Sequence, residues 1–435
     1  MNSTGPEINT TGDNSKVSET TTSPIVMGHI QGGGGDSKAA RAVQADRRYY
    51  WFLVGYLVAL SALGSFVNDM YTPSLPEMCR FFNCSVSTVQ LGLTMGMIGL
   101  GLGQVILGPV SDRYGRKLVL AASLSLFIVA AVVSVFSPTI HFFLWCRLVQ
   151  GIGASGGYFL ARTIPADLYA GRALAKFMAI IGAINGIAPA SAPVLGGVTA
   201  DAFGWKGIFI VLAAFALIIL AISPWMKETL VPSRRTTGSW WMSIKGYKNL
   251  LVNRPFMIHV CLKGASLGLL FAYISAAPFI LQDHYGFSQT GFGLVIGFNA
   301  LFVMGGAMVA LKFKPLKKAA RVGALALAVF VVAEAVALYT VHSFWLFEGF
   351  MIPALFALGM IFTASNTLAM NEGRAQAGEA SAVLGVVGYI VGAIVSPLVG
   401  IGDVLHSTAI TFVIVTVFIV ICAHGSRLLP PDLDK

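Results

Sequence analysis

Apolar runs of about twenty residues recur along almost the whole chain, and such a run has few folding options. It can cross the roughly 30 Å of hydrocarbon in a bilayer only as a helix, because no water is there to satisfy an open backbone. Twelve such runs are expected as spans. Six lie near residues 51–72, 87–107, 118–136, 140–161, 174–195 and 206–224, and six near 256–280, 291–311, 322–340, 344–366, 381–400 and 407–423. Only 11% of the 435 residues are charged, against about a quarter in a soluble domain. The expected fold is an all-α membrane protein of twelve transmembrane helices in two pseudo-symmetric six-helix bundles, residues 49–224 and 255–424. A polar tail (1–48), a linker (225–254) and a second tail (425–435) complete the chain.

The net charge of +10 would suit a nucleic-acid partner if it were gathered on one surface. Instead it is spread over the short connections between spans, where it signals topology, so no nucleic-acid partner is expected. With a cytoplasmic N-terminus, the inner connections 108–117, 162–176, 225–254, 312–321 and 370–380 carry eighteen Lys and Arg, and the outer ones only Arg80 and Lys206. Both termini are therefore expected in the cytoplasm. The tail, rich in Ser, Thr and Gly and without the apolar core of a signal peptide, reads as disordered. The basic, Trp-rich linker suits a segment lying on an anionic inner leaflet.

Among the five cysteines, Cys79 and Cys84 share one outer loop, where a local disulfide and two free thiols both stay open. Cys146, Cys261 and Cys422 fall in apolar spans. No metal-ligand spacing, nucleotide-binding loop or nucleophile triad occurs, so no metal, no cofactor and no enzymatic activity is expected, and an ion gradient must supply the energy.

The stretch "GPVSDRYGRK" (108–117) interrupts the apolar chain between the second and third spans. Its Gly108, Asp112, Arg113, Gly115, Arg116 and Lys117 match the G-x-x-x-D-R-x-G-R-K signature, and the chain resembles the major facilitator superfamily there. The corresponding second-half loop, "KFKPLKKAAR" (312–321), keeps the basic charge without the Asp or the glycines. The resemblance implies an inner latch between bundles, with Asp112 facing the start of the eleventh span near Glu379–Ser381, where helix N–H groups are unpaired. It also implies that Arg116 pairs with an acid near the end of the fourth span, for which Asp167 is the candidate.

Further stretches narrow the resemblance: "NDMYTPSLP" (68–76), "RLVQGIGASGG" (147–157), "ARTIPADLYAG" (161–171), "GIAPASAPVLGG" (186–197), "GWKGIF" (204–209) and "FAYISAAPFILQDHYGFS" (271–288). Together they look like the Bcr/CflA branch of drug:proton antiporters. That likeness implies a monomer of the bacterial inner (plasma) membrane that exports small amphiphilic drugs or metabolites in exchange for protons. An uptake symporter or facilitator on the same fold, or a transport-incompetent membrane receptor, is the alternative. The fifth span is similar to the antiporter motif of exporters, carried by Gly182, Gly186, Pro189, Pro193, Gly196 and Gly197. Small residues four apart give another helix a smooth face, and the prolines remove backbone donors and permit a bend. The glycines of the second span (Gly92, Gly96, Gly99, Gly103) and the eleventh (Gly385, Gly388, Gly392) read as close packing at moving interfaces.

Ionisable groups inside spans are costly and therefore functional candidates. Asp69, near the outer end of the first span, and Arg147, in the outer half of the fourth, lie at similar depth. Burial and a neighbouring cation act in opposite senses on a carboxyl's proton affinity, which suits a group that must exchange a proton. The competing reading is a permanent Asp69–Arg147 ion pair. A second acid that one related exporter carries in its first span corresponds to Ser61. Lys263 either snorkels to the inner interface or adds positive charge to the cavity. Glu348, one turn into the tenth span, suits a helix N-terminus, and Glu334 has no assigned role. Tyr71, Asn185, Tyr273 and Asn299 are expected to line a substrate cavity.

Overall fold

A computed structural model describes residues 47–169, 171–232, 235, 250–340 and 343–426, and no strand occurs among them. Both tails (except Arg47, Arg48, Gly425 and Ser426) and linker residues 233–234 and 236–249 lie outside the described residues. The helices are α1 (Arg47–Asp69), α2 (Val86–Tyr114), α3 (Arg116–Val135), α4 (Ile140–Leu168), and α5 and α6, the two arms of Gly171–Ile222 on either side of Gly204. The second half contributes α7 (Arg254–Pro278), α8 (Gln289–Ala310), α9 (Leu316–Thr340), α10 (Phe344–Glu372), α11 (Ala377–Val395) and α12 (Val404–Gly425). Ten helices among the described residues are long and apolar enough to cross a membrane. One of those ten is the 50-residue stretch that holds both α5 and α6. Helix α4, which carries Arg147 and Arg162, stands outside the ten and packs against α2 and α3.

Local chemistry sets where several helices begin. Ser85, Thr139, Asn253, Ser288 and Asp403 each accept a hydrogen bond from the backbone N–H three residues on, satisfying a donor that the first turn leaves free. Gly204 adopts φ +66, a left-handed conformation open to glycine, and there α5 turns into α6. Glu77, from the short outer helix Leu75–Phe82, accepts the Trp205 N–H at 3.3 Å just beyond that break.

Buried side chains form one apolar core mainly in the first-half helices and another in the second half. Within the first half the tightest approach is α2 on α4. A Cβ at Gly99 would meet the Leu148 carbonyl and the Gly151 Cα, and one at Gly103 would meet Ser155. Gly92 and Gly96 likewise face Phe143 and Arg147 of α4. These four glycines thus lie within one bundle, not at a moving interface, because α4 rather than a second-half helix fills their groove. On α11 the expectation holds in part: Gly385 faces Gln104 of α2, Gly392 lies against both Phe271 of its own bundle and Met97 of α2, and Gly388 faces Leu267 of its own bundle.

Most bonds between described residues of the two bundles lie in the outer half, and Tyr389 of α11 also meets Tyr158 of α4 deeper in. Ser74 and Glu77 meet the Gln289 side chain at 3.1 Å each, and Gln282 donates to the Pro73 carbonyl at 2.7 Å. Asp201 accepts the Thr290 N–H at 2.9 Å. Deeper, Gln90 donates to the Ser275 carbonyl at 3.0 Å and Thr94 to the Ala393 carbonyl at 2.8 Å. The outer side is therefore closed in this conformation. Cys79 and Cys84 are free thiols, and Cys79 donates its S–H to the Cys84 carbonyl at 2.8 Å.

The beginning of the linker is tied to the first bundle. Lys117 donates its ammonium to the Pro224 carbonyl, Lys227 N–H reaches the Tyr49 hydroxyl, and Met226 and Leu230 are buried. Gly99→Leu, which drives a branched side chain into the α4 backbone, is expected to cost about 1–3 kcal/mol or more through overpacking. Size-exclusion of the detergent-solubilised variant should show loss of the monodisperse peak, whereas Gly101→Leu, at an open position, should keep it.

Candidate functional site

Arg147 is wholly buried, and its charge is met by dipoles. Its Nη2 donates to the Val67 carbonyl and the Asn68 Oδ1, both at 2.9 Å, and its Nη1 donates to the Gln150 Oε1 at 2.6 Å. The Nε donates to the Gly92 carbonyl at 3.4 Å, and the guanidinium stands 4.3 Å from the Tyr71 ring centroid, a favourable cation–π arrangement. Gln150 passes the connection on to the Ala130 carbonyl of α3 at 3.2 Å. One side chain thereby joins α1, α2 and α4 directly and α3 through Gln150. Tyr71, read from sequence as a cavity residue, is fully buried beneath this guanidinium.

Asp69 is beside this clamp but outside it. No ion pair joins it to Arg147, and its carboxylate makes no hydrogen bond among the described residues, while its backbone carbonyl accepts from the Thr72 hydroxyl at 2.8 Å. The permanent ion pair is therefore not present: the neighbouring Asn68 takes the guanidinium bond. Asp69 is buried like Arg147, but its carboxylate is not part of the arginine's shell of acceptors. It acts electrostatically on Tyr389 of α11, which also interacts with Tyr158 and Arg162 of α4.

That polar track continues inward through residues that the sequence reading placed elsewhere or passed over. Arg162, assigned from sequence to an inner loop, lies within α4, because the helix runs on to Leu168. Its Nη2 donates to the Tyr158 hydroxyl at 2.6 Å. Lys263 of α7 donates to the Asn366 Oδ1 of α10 at 2.8 Å and is within electrostatic reach of Arg162. Lys263 thus bonds inside the protein rather than snorkelling out. Hydropathy gave no signal for Tyr158, Tyr389 or Asn366, since lone polar residues barely dent a span's average.

At the inner motif, Gly115 adopts φ +98 between α2 and α3, a turn that a Cβ would strain. The buried Arg116 donates Nε to Asp167 Oδ2 at 2.9 Å, Nη1 to the Ser111 hydroxyl at 2.6 Å, and Nη1 to Asp112. Asp112 stays 44% exposed, and no bond joins it to α11 among the described residues. Gly108 offers its carbonyl to Ser111, and Arg113 lies 5.7 Å from the Tyr114 ring centroid. The residue missed from sequence is Glu228. Its carboxylate accepts the Arg116 and Lys117 N–H groups at 3.0 and 3.1 Å, capping the positive end of α3 from the linker.

The motif of the fifth span lies largely against α8. A Cβ at Gly186 would meet Met304 and one at Gly197 the Gln289 backbone, while Gly293 and Gly297 of α8 approach Pro193 and Ala190 in return. Gly196 instead approaches the Met70 carbonyl, and a side chain at Gly182 would meet open space. Pro189 and Pro193 lie within continuous helix. The side chain of Asn185 lies outside the described residues.

Tyr273 and Asn299 belong to a separate cluster inside the second bundle. The Asn299 amide donates to the Tyr273 hydroxyl at 2.7 Å, and Glu334 and Glu348, both buried, act on each other and on Tyr273. Glu348 is therefore turned into the bundle rather than capping α10, and Glu334 is wholly buried. Tyr273 and Glu334 border a small cavity with Met351 and Phe412. No group of three or more His, Cys, Asp or Glu that could hold a metal ion occurs among the described residues.

Arg147→Met leaves the Asn68, Gln150 and Val67 acceptors without their donor, at about 1–3 kcal/mol for each buried group left unpaired. The expected outcome is a melting temperature several degrees lower in detergent. Gln150→Met, which leaves three of the four arginine contacts, should lose less.

These features have counterparts in known proteins. The model of the Major Facilitator Superfamily matches residues 57–397. An MFS-type transporter, YdgK of Bacillus subtilis (strain 168), is 36% identical over 81% of this chain and 88% of its own length. The multidrug resistance protein MdtL of Escherichia coli O127:H6 is 27% identical over 73% of this chain and 80% of its own length. Among solved structures, a bacterial homolog of the human lysosomal transporter Spinster, inward-facing and unoccupied, superposes with a TM-score of 0.70 at 15% identity, covering 88% of this chain and 97% of that one. With a membrane-spanning helical fold, an inner loop built on Arg116 and these relatives, the chain belongs to the Major Facilitator Superfamily, whose members are multi-pass membrane transporters.

Proposed function

We propose that this transporter is a proton-coupled exporter of the Bcr/CflA type, working as a monomer in a bacterial inner membrane and carrying small amphiphilic drugs or metabolites outward as protons move in. The observation that carries the reading is Asp69. It is buried, free of any ion pair or hydrogen bond among the described residues, and electrostatically linked to Tyr389 in the opposite bundle. A carboxyl so placed can gain and lose a proton at modest cost, because no salt bridge must break. The multidrug resistance name of MdtL supports the substrate class.

In this scheme Asp69 takes a proton when the outer side is open and releases it when the inner side is open and substrate arrives. Arg147 acts as a positioning residue that fixes the end of α1 through Val67 and Asn68. The bundles rock about the smooth α5–α8 contact. Asp112 is unengaged across the bundles here, where the outer side is closed, which accords with a latch that fastens when the outer side opens. The membrane potential adds about 2.3 kcal/mol per 100 mV for each charge moved.

Addition of chloramphenicol or a sulfonamide to the purified protein should release protons into weakly buffered solution, and Asp69→Asn should abolish that release while binding persists. Proton release retained by the variant would overturn the role of Asp69. Accumulation of substrate inside vesicles under an inwardly directed proton gradient would overturn the export direction. Separately, Asp112→Ala should lose at least about tenfold in transport with membrane expression intact.

A further inference from the structure

Two cations of opposite bundles, both in the inner half, stand within electrostatic reach of each other, and among the described residues no acid pairs with either. Arg162 of α4 and Lys263 of α7 interact electrostatically, yet neither makes an ion pair among the described residues. Their partners are neutral. Arg162 donates to the Tyr158 hydroxyl and lies 4.3 Å from that ring's centroid, and Lys263 donates to the Asn366 amide oxygen and lies 5.4 Å from the Phe362 ring centroid. A guanidinium carries five N–H donors and an ammonium three, so most of this donor capacity is unspent among the described residues. Two half-buried like charges repel each other, and an anion bound by both would relieve that repulsion.

The surroundings fit such an occupant. Apart from the Tyr158–Tyr389 contact, bonds between the bundles among the described residues lie in the outer half, so the inner ends beyond it, where Arg162 and Lys263 stand, are the side less tied and open to a solute from the cytoplasm. A guanidinium binds a carboxylate through two parallel hydrogen bonds, and an ammonium adds a point charge. Tyr158 and Phe362 provide aromatic faces beside the two charges. We propose that Arg162 and Lys263 form the recognition site for a carboxylate on the transported solute, so that the natural substrates are small amphiphilic anions rather than organic cations. This inference rests on the export reading and sharpens it, since an inside-negative potential itself drives an anion outward.

The test uses the full-length protein in phosphatidylcholine nanodiscs, without anionic lipid, and three probes of nearly equal shape: 1-naphthoate, 1-naphthylmethanol and 1-naphthylmethylamine. Fluorescence titration should give naphthoate at least about tenfold tighter binding than the alcohol or the amine, as expected of charge-assisted hydrogen bonds. Lys263→Gln and Arg162→Gln should each erase that preference, whereas Lys263→Arg, which keeps the charge, should retain it. Equal affinity for the three probes, absence of naphthoate binding, or unchanged naphthoate affinity in Lys263→Gln would overturn the anion site. Those results would leave the export reading untouched, because proton release through Asp69 decides it independently.

Discussion

The first bundle depends on how a positive charge is held in a medium that cannot solvate it. An isolated arginine in a low-dielectric interior carries a severe desolvation penalty, and the usual remedy is a carboxylate. Here the remedy is distributed: two backbone carbonyls, two side-chain amides and an aromatic face surround Arg147. Those groups come from fixed places on α1, the turn that follows it, α2 and α4 itself. The clamp therefore specifies the relative depth of α1, α2 and α4, and Gly92 and Gly96 are small because the guanidinium and its neighbours need the room. The same solution leaves Asp69 uncommitted, which a direct ion pair would not.

The inner motif solves a related problem at the membrane surface. Arg116 is bound by Asp167, Asp112 and Ser111, so the turn from α2 to α3 is locked to the foot of α4. Asp112 shares its charge with Arg116 but remains half open to solvent. It is thus stable in place and still available to a second partner when the inner ends of the bundles approach each other. Rigidity within each bundle and weak, polar contacts between bundles are what a rocking motion requires. The outer contacts largely have that character, being side-chain amides and hydroxyls on backbone carbonyls, carboxylates and one another, with the exposed Arg80–Asp283 ion pair at the rim.

Much of this was legible in the sequence, and the reasons it stopped being legible are physical. Spans announce themselves because every residue in them contributes to one average. The loop motif, Arg147 and Asp69 are visible because charge inside an apolar run is rare. Arg162 was misplaced because a helix does not end where the hydrocarbon does: α4 continues to Leu168, and a hydropathy boundary falls short of a hydrogen-bonding boundary. Glu228, Gln289 and Asp201 act on partners about 90 to 215 residues away, and nothing local to them records that. The Asp69–Arg147 pairing looked reasonable at matching depth, yet rotation about the helix axis gave the contact to Asn68. A single residue's step of about 100° separates a structural bond from a free acid.

The binding of Glu228 to the start of α3 has a mechanical consequence for the two halves. With Met226 and Leu230 buried, Lys227 tied to Tyr49 and Glu228 fixed on Arg116 and Lys117, the first stretch of the connector moves as part of the first bundle. The tether between the bundles then starts beyond Arg235, whose guanidinium lies beside Gly115 and Glu228, not at the end of α6. Its effective length is shorter than the sequence between α6 and α7, and lengthening or shortening the chain before Leu230 would disturb an anchorage rather than a hinge.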